Sequence, residues 1–307
     1  MIDAPGIFDL SEDVYHGDPA PAPSLSAGFA KTMLQASPFH AAAGHPRIAP
    51  TMSLPIDARE EESKFDLGKA THAIKTGKGG ELVVVEADSW RSNAAKEVRE
   101  EARAQGATAL LWKDAKRVEA MCELVERRCI EGIGYDPFGR RENNEMAMFW
   151  KDGPVWCRAK PDAIDYDHRI LWDLKTSGTF AEPNGWTKTQ LKATAIDLRA
   201  AHYLHGSKCL LGPGWRYVFA VVEITWPHAV SFAELPGALL DTGEDERQTA
   251  VRTFGRCLEM GRWPAWPRGI TLVEAPPYHE VEWIARRDRA NASAETLRAA
   301  RDMQAPN

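Results

Sequence analysis

Apolar and polar positions organise one stretch of this chain more sharply than any other. From Val155 to Ile164 and from Arg169 to Lys175 the residues are apolar or alternate with polar ones, and Asp165-Tyr-Asp-His separates the two runs. Period-two alternation marks a half-buried strand, and a polar cluster between two such runs marks a turn, so the pattern predicts a β-hairpin. In the second strand Asp173 and Lys175 then share one face, while Trp172 and Leu174 pack on the other. Asp162 closes the first strand, and folding one strand back on the other brings Asp162 and Asp173 within reach of one cation, with Lys175 beside them.

The same reading predicts strands over Glu81 to Glu86, Glu145 to Lys151 and Trp215 to Thr225. The last is a β-branched and aromatic run suited to the middle of a sheet. Helical spacing appears over Ala27 to Gln35, Phe65 to Lys75, 91–104, 114–131, Trp186 to Leu204 and Glu244 to Met260. Ser26 stands where a serine hydroxyl caps a free amide of the first turn; the functional alternative is that this helix N-terminus, with Ser26 and Lys31, binds a DNA phosphate. Ser37-Pro-Phe-His40 ends that first helix, and 43–63 reads as a loop with Pro46, Pro50 and Pro55. The Ala- and Arg-rich tail from 286 to 307 reads as mobile or loosely helical. The rest, 1–285, reads as a single elaborated domain with its core at about 65–265.

Composition narrows the class. The chain has 307 residues, 44% hydrophobic and 27% charged, values typical of a soluble globular protein. It has no apolar run long enough to span a bilayer and no secretory pattern, so no membrane association and a cytoplasmic location are expected. Five cysteines without a C-x-x-C spacing speak against a zinc ribbon or an iron–sulfur cluster. A net charge of −6 gives no general basic footprint for nucleic acid. Local positive charge remains possible, since Lys64, Lys69, Lys75, Lys78, Arg158, Lys160, Lys188, Lys192 and Arg199 lie near the hairpin in sequence.

The hairpin acids set the chemistry. Two carboxylates and a backbone carbonyl form a hard oxygen site suited to Mg²⁺, which keeps several waters and completes its shell with phosphate oxygens. A lysine beside them can orient water or neutralise charge on a phosphoryl transition state. Glu145 is either a third carboxylate of this site or an exposed strand end. Gly68 and His72, four apart, share a helix face; the glycine points to close packing, and the histidine is either a core residue or a ligand that widens metal choice toward Mn²⁺. Arg199 and Tyr203, also four apart, either hold a phosphate and shape the site wall or are a surface arginine beside a packed tyrosine.

Pro161-Asp162 followed by Asp173-Leu-Lys175 resembles the PD-(D/E)xK nuclease pattern. Together with Tyr15-His-Gly-Asp-Pro, Ser24-Leu-Ser26, Ser37-Pro, Gly68-x-x-x-His72, Glu145, Arg158-x-Lys-Pro-Asp162 and Ala200-Ala-x-Tyr203, the ordered set resembles the exonuclease VIII (RecE-type) family, close to the RecB-type nuclease domain. The resemblance spans about residues 15 to 265. It implies an α/β restriction-endonuclease-like PD-(D/E)xK core with a mixed central β-sheet flanked by helices. It implies Mg²⁺, with Mn²⁺ as substitute, held by His72, Asp162 and Asp173, with Lys175 assisting the water and Tyr203 near the substrate. Ser26, Arg158, Lys160 and Arg199 are then the expected DNA contacts, although Arg199 stands where the family usually has glutamine. The expected activity is a Mg²⁺-dependent exodeoxyribonuclease acting on double-stranded DNA ends, 5′ to 3′, leaving 3′ single strands for recombination. A RecT-type single-strand-annealing partner and a toroidal homo-tetramer belong to the same resemblance. An endonuclease of the superfamily and a non-catalytic DNA-binding protein that keeps the fold are the alternatives.

Overall fold

The computed structural model describes the backbone of residues 2–48 and 62–303 and, within the second stretch, the side chains of 66–295. The chain divides into two units, Met1–Ala265 and Trp266–Asn307.

The first unit is a mixed α/β fold in which mixed sheets are flanked by helices. One four-stranded sheet has the order β1 (Gly6–Phe8), β5 (Ala147–Asp152), β6 (Val155–Ala159) and β2 (Ser24–Ser26); a second has the order β10 (Val230–Glu234), β9 (Arg216–Glu223), β8 (Ile170–Ser177) and β7 (Ala163–Asp165). β3 (Leu82–Val85) and β4 (Thr108–Leu111) pair in parallel as a separate ribbon. Within the second sheet β8 runs parallel to β9 and antiparallel to β7.

The expected first strand of the hairpin, Val155 to Ile164, is two strands. Pro161 cannot donate to a ladder, and at Lys160-Pro161-Asp162 the chain leaves one sheet for the other. β6 pairs with β5, whereas β7 pairs with β8 in the register Ala163 to Trp172. Asp162 is therefore the corner between two sheets rather than the end of one strand. Its carbonyl accepts from Glu145 N at 3.1 Å and its amide donates to Trp172 O at 3.0 Å.

The alternation expected for β8 is observed, and it sorts the two hydrophobic layers. Trp172 and Leu174 pack with Met121, Val125 and Cys129 of α6 (Trp112–Ile133). Leu171, on the same face as Asp173 and Lys175, packs with Tyr217 and Phe219 and with Ile196, Ala200 and Tyr203 of α8 (Ile196–Leu211). Burial on both faces explains why β9 is an almost unbroken apolar run. The helix expected over Trp186 to Leu204 is broken in two, α7 (Pro183–Thr194) and α8, because Ala195 adopts a left-handed φ of 50°.

At the N-terminal side, after the short helix α1 (Glu12–His16), α2 (Ala27–Gln35) ends as expected, but Pro38–Gly44 then forms a short helix, α3, capped by Ser37. The expected loop over 43–63 falls largely on 49–61, outside the described residues. Helix α4 (Glu62–Thr76) crosses β8 closely, since a Cβ on Gly68 would lie 3.2 Å from Thr176 Oγ1. That approach sets the height of His72, one turn later. α5 (Asn93–Ala104) completes the ribbon subdomain, and α9 (Gly237–Met260) packs on α8 so tightly that a Cβ on Gly243 would meet Asp197 O at 2.3 Å.

In the second unit, where a mobile or loosely helical tail is expected after 285, the backbone forms one helix, α10 (Pro277–Met303). Among the described residues no helix is long and apolar enough to cross a membrane.

Candidate active site

The corner at Asp162 is where three elements meet. The His72 Nδ1 atom, delivered by α4, stands 3.3 Å from Asp162 Oδ1. The other carboxylate oxygen, Oδ2, accepts from the Leu174 amide of β8. Burial works against ionising Asp162, yet His72, Lys175 and that amide hold its carboxyl well below the usual carboxylate range. Burial likewise opposes a charged imidazole, and the Asp162 carboxylate outweighs it and raises His72.

Asp173 flanks this pair on β8. Its Oδ1 accepts from Lys175 Nζ and its Oδ2 from the Tyr217 hydroxyl, the latter at 2.8 Å. Asp173 and Tyr217 are both buried. The five groups therefore form two sets, His72 with Asp162 at the corner and Lys175 to Asp173 to Tyr217 across the sheet. Tyr217 was not among the residues the sequence singles out. A buried phenol needs a partner for its hydroxyl, and in a strand otherwise apolar that need was the available signal.

Glu145 lies at the edge of the same group. It pairs with Lys160 at 2.8 Å and accepts from Thr76 Oγ1 at 3.1 Å, so it belongs to the site wall rather than to an exposed strand end. Tyr203 rises from α8, its hydroxyl 3.4 Å from Lys160 O. The Arg199 guanidinium lies over the Tyr203 ring, 5.9 Å from its centroid.

These residues open on a cavity of about 790 Å³ whose lining includes His72, Asp162, Lys175, Glu145 and Tyr203. Lys69, Lys78 and Lys160 join Lys175 in that lining. Local positive charge thus gathers here despite the net negative chain. Of the other basic residues near the hairpin in sequence, Lys75 is buried against Asp136 at 2.7 Å, Lys188 and Lys192 are exposed on α7, and the Lys64 side chain lies outside the described residues.

Two expected DNA contacts have partners within the protein. Arg158 is 2% exposed, with its Nη1 2.6 Å from Asp18 Oδ1 and 3.3 Å from Ser24 Oγ. Tyr15 and Phe29 stack near its guanidinium, so the group is closed off from any phosphate. Its placement follows from a buried carboxylate at Asp18, which also accepts from Ser24 N at 2.8 Å. The Ser26 hydroxyl accepts from Phe29 N at 3.3 Å and caps α2.

The donor set suits a hard divalent cation in part. An imidazole nitrogen and a carboxylate oxygen 3.3 Å apart can share one ion. Among the described residues, however, no three His, Cys, Asp or Glu side chains converge on one point. Asp173 is the expected third ligand, and its oxygens are engaged by Lys175 and Tyr217. His72 and Asp162 would hold such a metal with water in the remaining positions, a shell that Mg²⁺ and Mn²⁺ accept.

No protein-family model matches this sequence, and no curated protein resembles it by sequence. Among solved structures the chain is similar to a putative exonuclease from Eubacterium rectale, with a TM-score of 0.53 and 11% identity over 88% of this chain and 96% of that one. A phage-related exonuclease from Haemophilus somnus matches over 64% of this chain and 96% of its own, with 9% identity and a TM-score of 0.29. An alkaline exonuclease from Laribacter hongkongensis matches over 66% and 95%, with 16% identity and a TM-score of 0.24. The last two overlap too loosely to bear on the fold. The first shows that this chain shares the fold of the Eubacterium rectale protein.

Proposed function

We propose that this protein is a metal-dependent exodeoxyribonuclease that hydrolyses phosphodiesters of linear double-stranded DNA from its ends, 5′ to 3′, leaving 3′ single strands for phage-type recombination. The observation that carries the reading is the corner at Asp162. One acid is pinned there against His72 and β8, beside Asp173 and Lys175, at a lysine-lined cavity. The fold shared with a putative exonuclease supports it. The polarity, the single-strand-annealing partner and a ring-shaped tetramer enter by family resemblance.

Hydrolysis forms one P–O bond from water and breaks the bond to the leaving sugar oxygen, which takes up a proton. Bound Mg²⁺ would lower the pKa of its water and offset charge at phosphorus. His72 and Asp162 are the residues that would hold it, with Asp173 adjoining. Lys175, an ammonium at the cavity wall, positions the attacking water or neutralises the extra negative charge on the phosphoryl group. Tyr203 forms part of the wall against which a nucleotide packs.

Incubation with end-labelled linear duplex, with and without Mg²⁺, tests the proposal. Release of label from linear DNA only in the presence of metal, with closed circles untouched, is expected. Cutting of circles makes it an endonuclease. Asp173→Ala should lose hydrolysis while keeping the fold, and undiminished metal-dependent activity in that variant refutes the assignment.

A further inference from the structure

Three of the four buried or partly buried arginines among the described residues come with carboxylates. Arg158 has Asp18 at 2.6 Å, Arg99 has Asp66 at 2.9 Å, and Arg247 is clamped by Glu244 and Asp152. This is the ordinary arrangement, because a guanidinium withdrawn from water without a counter-ion loses its hydration for nothing in return. Arg199 departs from it. Among the described residues nothing accepts a hydrogen bond from its side chain and no carboxylate forms an ion pair with it; its guanidinium faces the Tyr203 ring.

The location of this unpaired cation matters. Arg199 stands in the first turn of α8, and Tyr203, the ring beneath it, lines the cavity with Asp162 and Lys175. Burial works against its charge, but Tyr203, Asp173, Tyr217 and Asp162 lie near enough to outweigh that and keep it protonated. These two aspartates are already engaged, Asp173 by Lys175 and Tyr217, and Asp162 by His72 and the Leu174 amide. Arg199 is also partly exposed, so a ligand can reach it. A guanidinium that faces an aromatic ring makes no hydrogen bond through that contact, and its fork of N–H donors matches the oxygens of a phosphate.

We propose that Arg199 takes a phosphate oxygen of the DNA strand as its counter-ion, making it the anion-binding residue of the candidate active site. The inference rests on the nuclease reading above and adds to it where the strand is gripped. It also distinguishes Arg199 from Lys160 and Lys78, whose charges are matched by Glu145 and Asp9 within the protein.

The test is binding of a short fluorescein-labelled linear duplex to the full chain in EDTA, over a range of salt concentrations. Arg199→Gln should bind roughly tenfold more weakly, the loss typical of one charge-assisted hydrogen bond, and its log K against log salt slope should fall by about one. Arg199→Lys keeps the charge and loses the fork; it should keep the slope and bind several-fold more weakly. Both variants should melt within a few degrees of the wild type. Wild-type affinity and slope in both overturn the inference, as does a collapse in melting temperature, which marks a structural cation. A wild type that neither binds nor cuts DNA removes the nuclease reading itself. A wild type that does both, with unaffected variants, removes this inference alone.

Discussion

The Tyr217 hydroxyl donates a 2.8 Å hydrogen bond to Asp173 Oδ2, joining the start of β9 to the candidate catalytic strand. Because Lys175 engages Oδ1, the phenol leaves the carboxylate with one orientation. Tyr217→Phe removes that constraint and leaves a buried charged oxygen short of a donor, a loss of about 1–3 kcal/mol. The expected outcome is a lower melting temperature together with a fall in the hydrolysis rate at saturating DNA and little change in DNA affinity. Equal rates in the two proteins reject a positioning role for Tyr217.

Arg158 and Asp18 form an ion pair with side chains 3% and 0% exposed. Breaking such a pair from one side costs about 3–5 kcal/mol, because the remaining charge stays buried alone. Arg158→Ala should therefore lower stability in urea without changing the salt dependence of DNA binding by folded protein. A variant of wild-type stability that binds DNA poorly would restore Arg158 as a nucleic-acid contact.

Metal binding has a readout independent of cleavage. An ion that binds only the folded state raises its stability by RT ln(1 + [L]/Kd), about 2.7 kcal/mol at a hundredfold excess over Kd. Mn²⁺ and Mg²⁺ should raise the melting temperature of the wild type, and the rise should shrink in His72→Ala and disappear in Asp162→Asn. An equal rise in all three proteins places the ion elsewhere.

His202 gives a pH dependence with a defined sign. It is fully buried, its Nε2 lies 3.0 Å from Arg158 O, and burial pushes its pKa down to about 3. In the unfolded chain an imidazole titrates near 6.5, so between about pH 6.5 and pH 3 the unfolded state binds a proton that the folded state does not. Stability from this group is intact above that window and is lost as pH falls, by at most about 1.4 kcal/mol per pH unit. Denaturant titrations from pH 7 to pH 5 should show this slope, and His202→Gln should flatten it by one proton. An unchanged slope in the variant assigns the acid sensitivity to other groups.

Close packing of α8 and α9 supplies a further check on the frame around the site. The Cβ of Gly243→Ala would meet backbone atoms of Asp197 and Leu198 at 2.3 to 2.9 Å, and backbone on a packed helix has little freedom to withdraw. A loss of about 1–3 kcal/mol or more is expected in urea melts. A neutral result shows that the two helices can separate.

What the sequence shows of this molecule and what it hides divide along contact range. The shared face of Asp173 and Lys175 follows from strand periodicity alone, and the packing of Gly68 against β8 follows from a glycine placed one turn before His72 in a helix. The strand break at Pro161 was also written in the chain, since proline cannot serve a ladder from both sides, but the apolar run around it obscured the signal. Tyr217, Asp18 and the fate of Arg158 were not legible. Their partners lie 44 and more than 130 residues away, and no local pattern reports which buried groups will meet. The division at Ala195 escaped for a related reason: helical spacing continues in register through it, while a single left-handed residue turns the axis.

Placing Asp162 at the corner between two sheets ties the proposed hydrolysis to the mutual alignment of both halves of the core. Its carbonyl, amide and carboxylate are bonded to Glu145, Trp172 and Leu174 in turn, so a slip of one half against the other is passed undamped to the acid. Mild urea should thus silence the proposed hydrolysis at concentrations where circular dichroism still reports an intact fold.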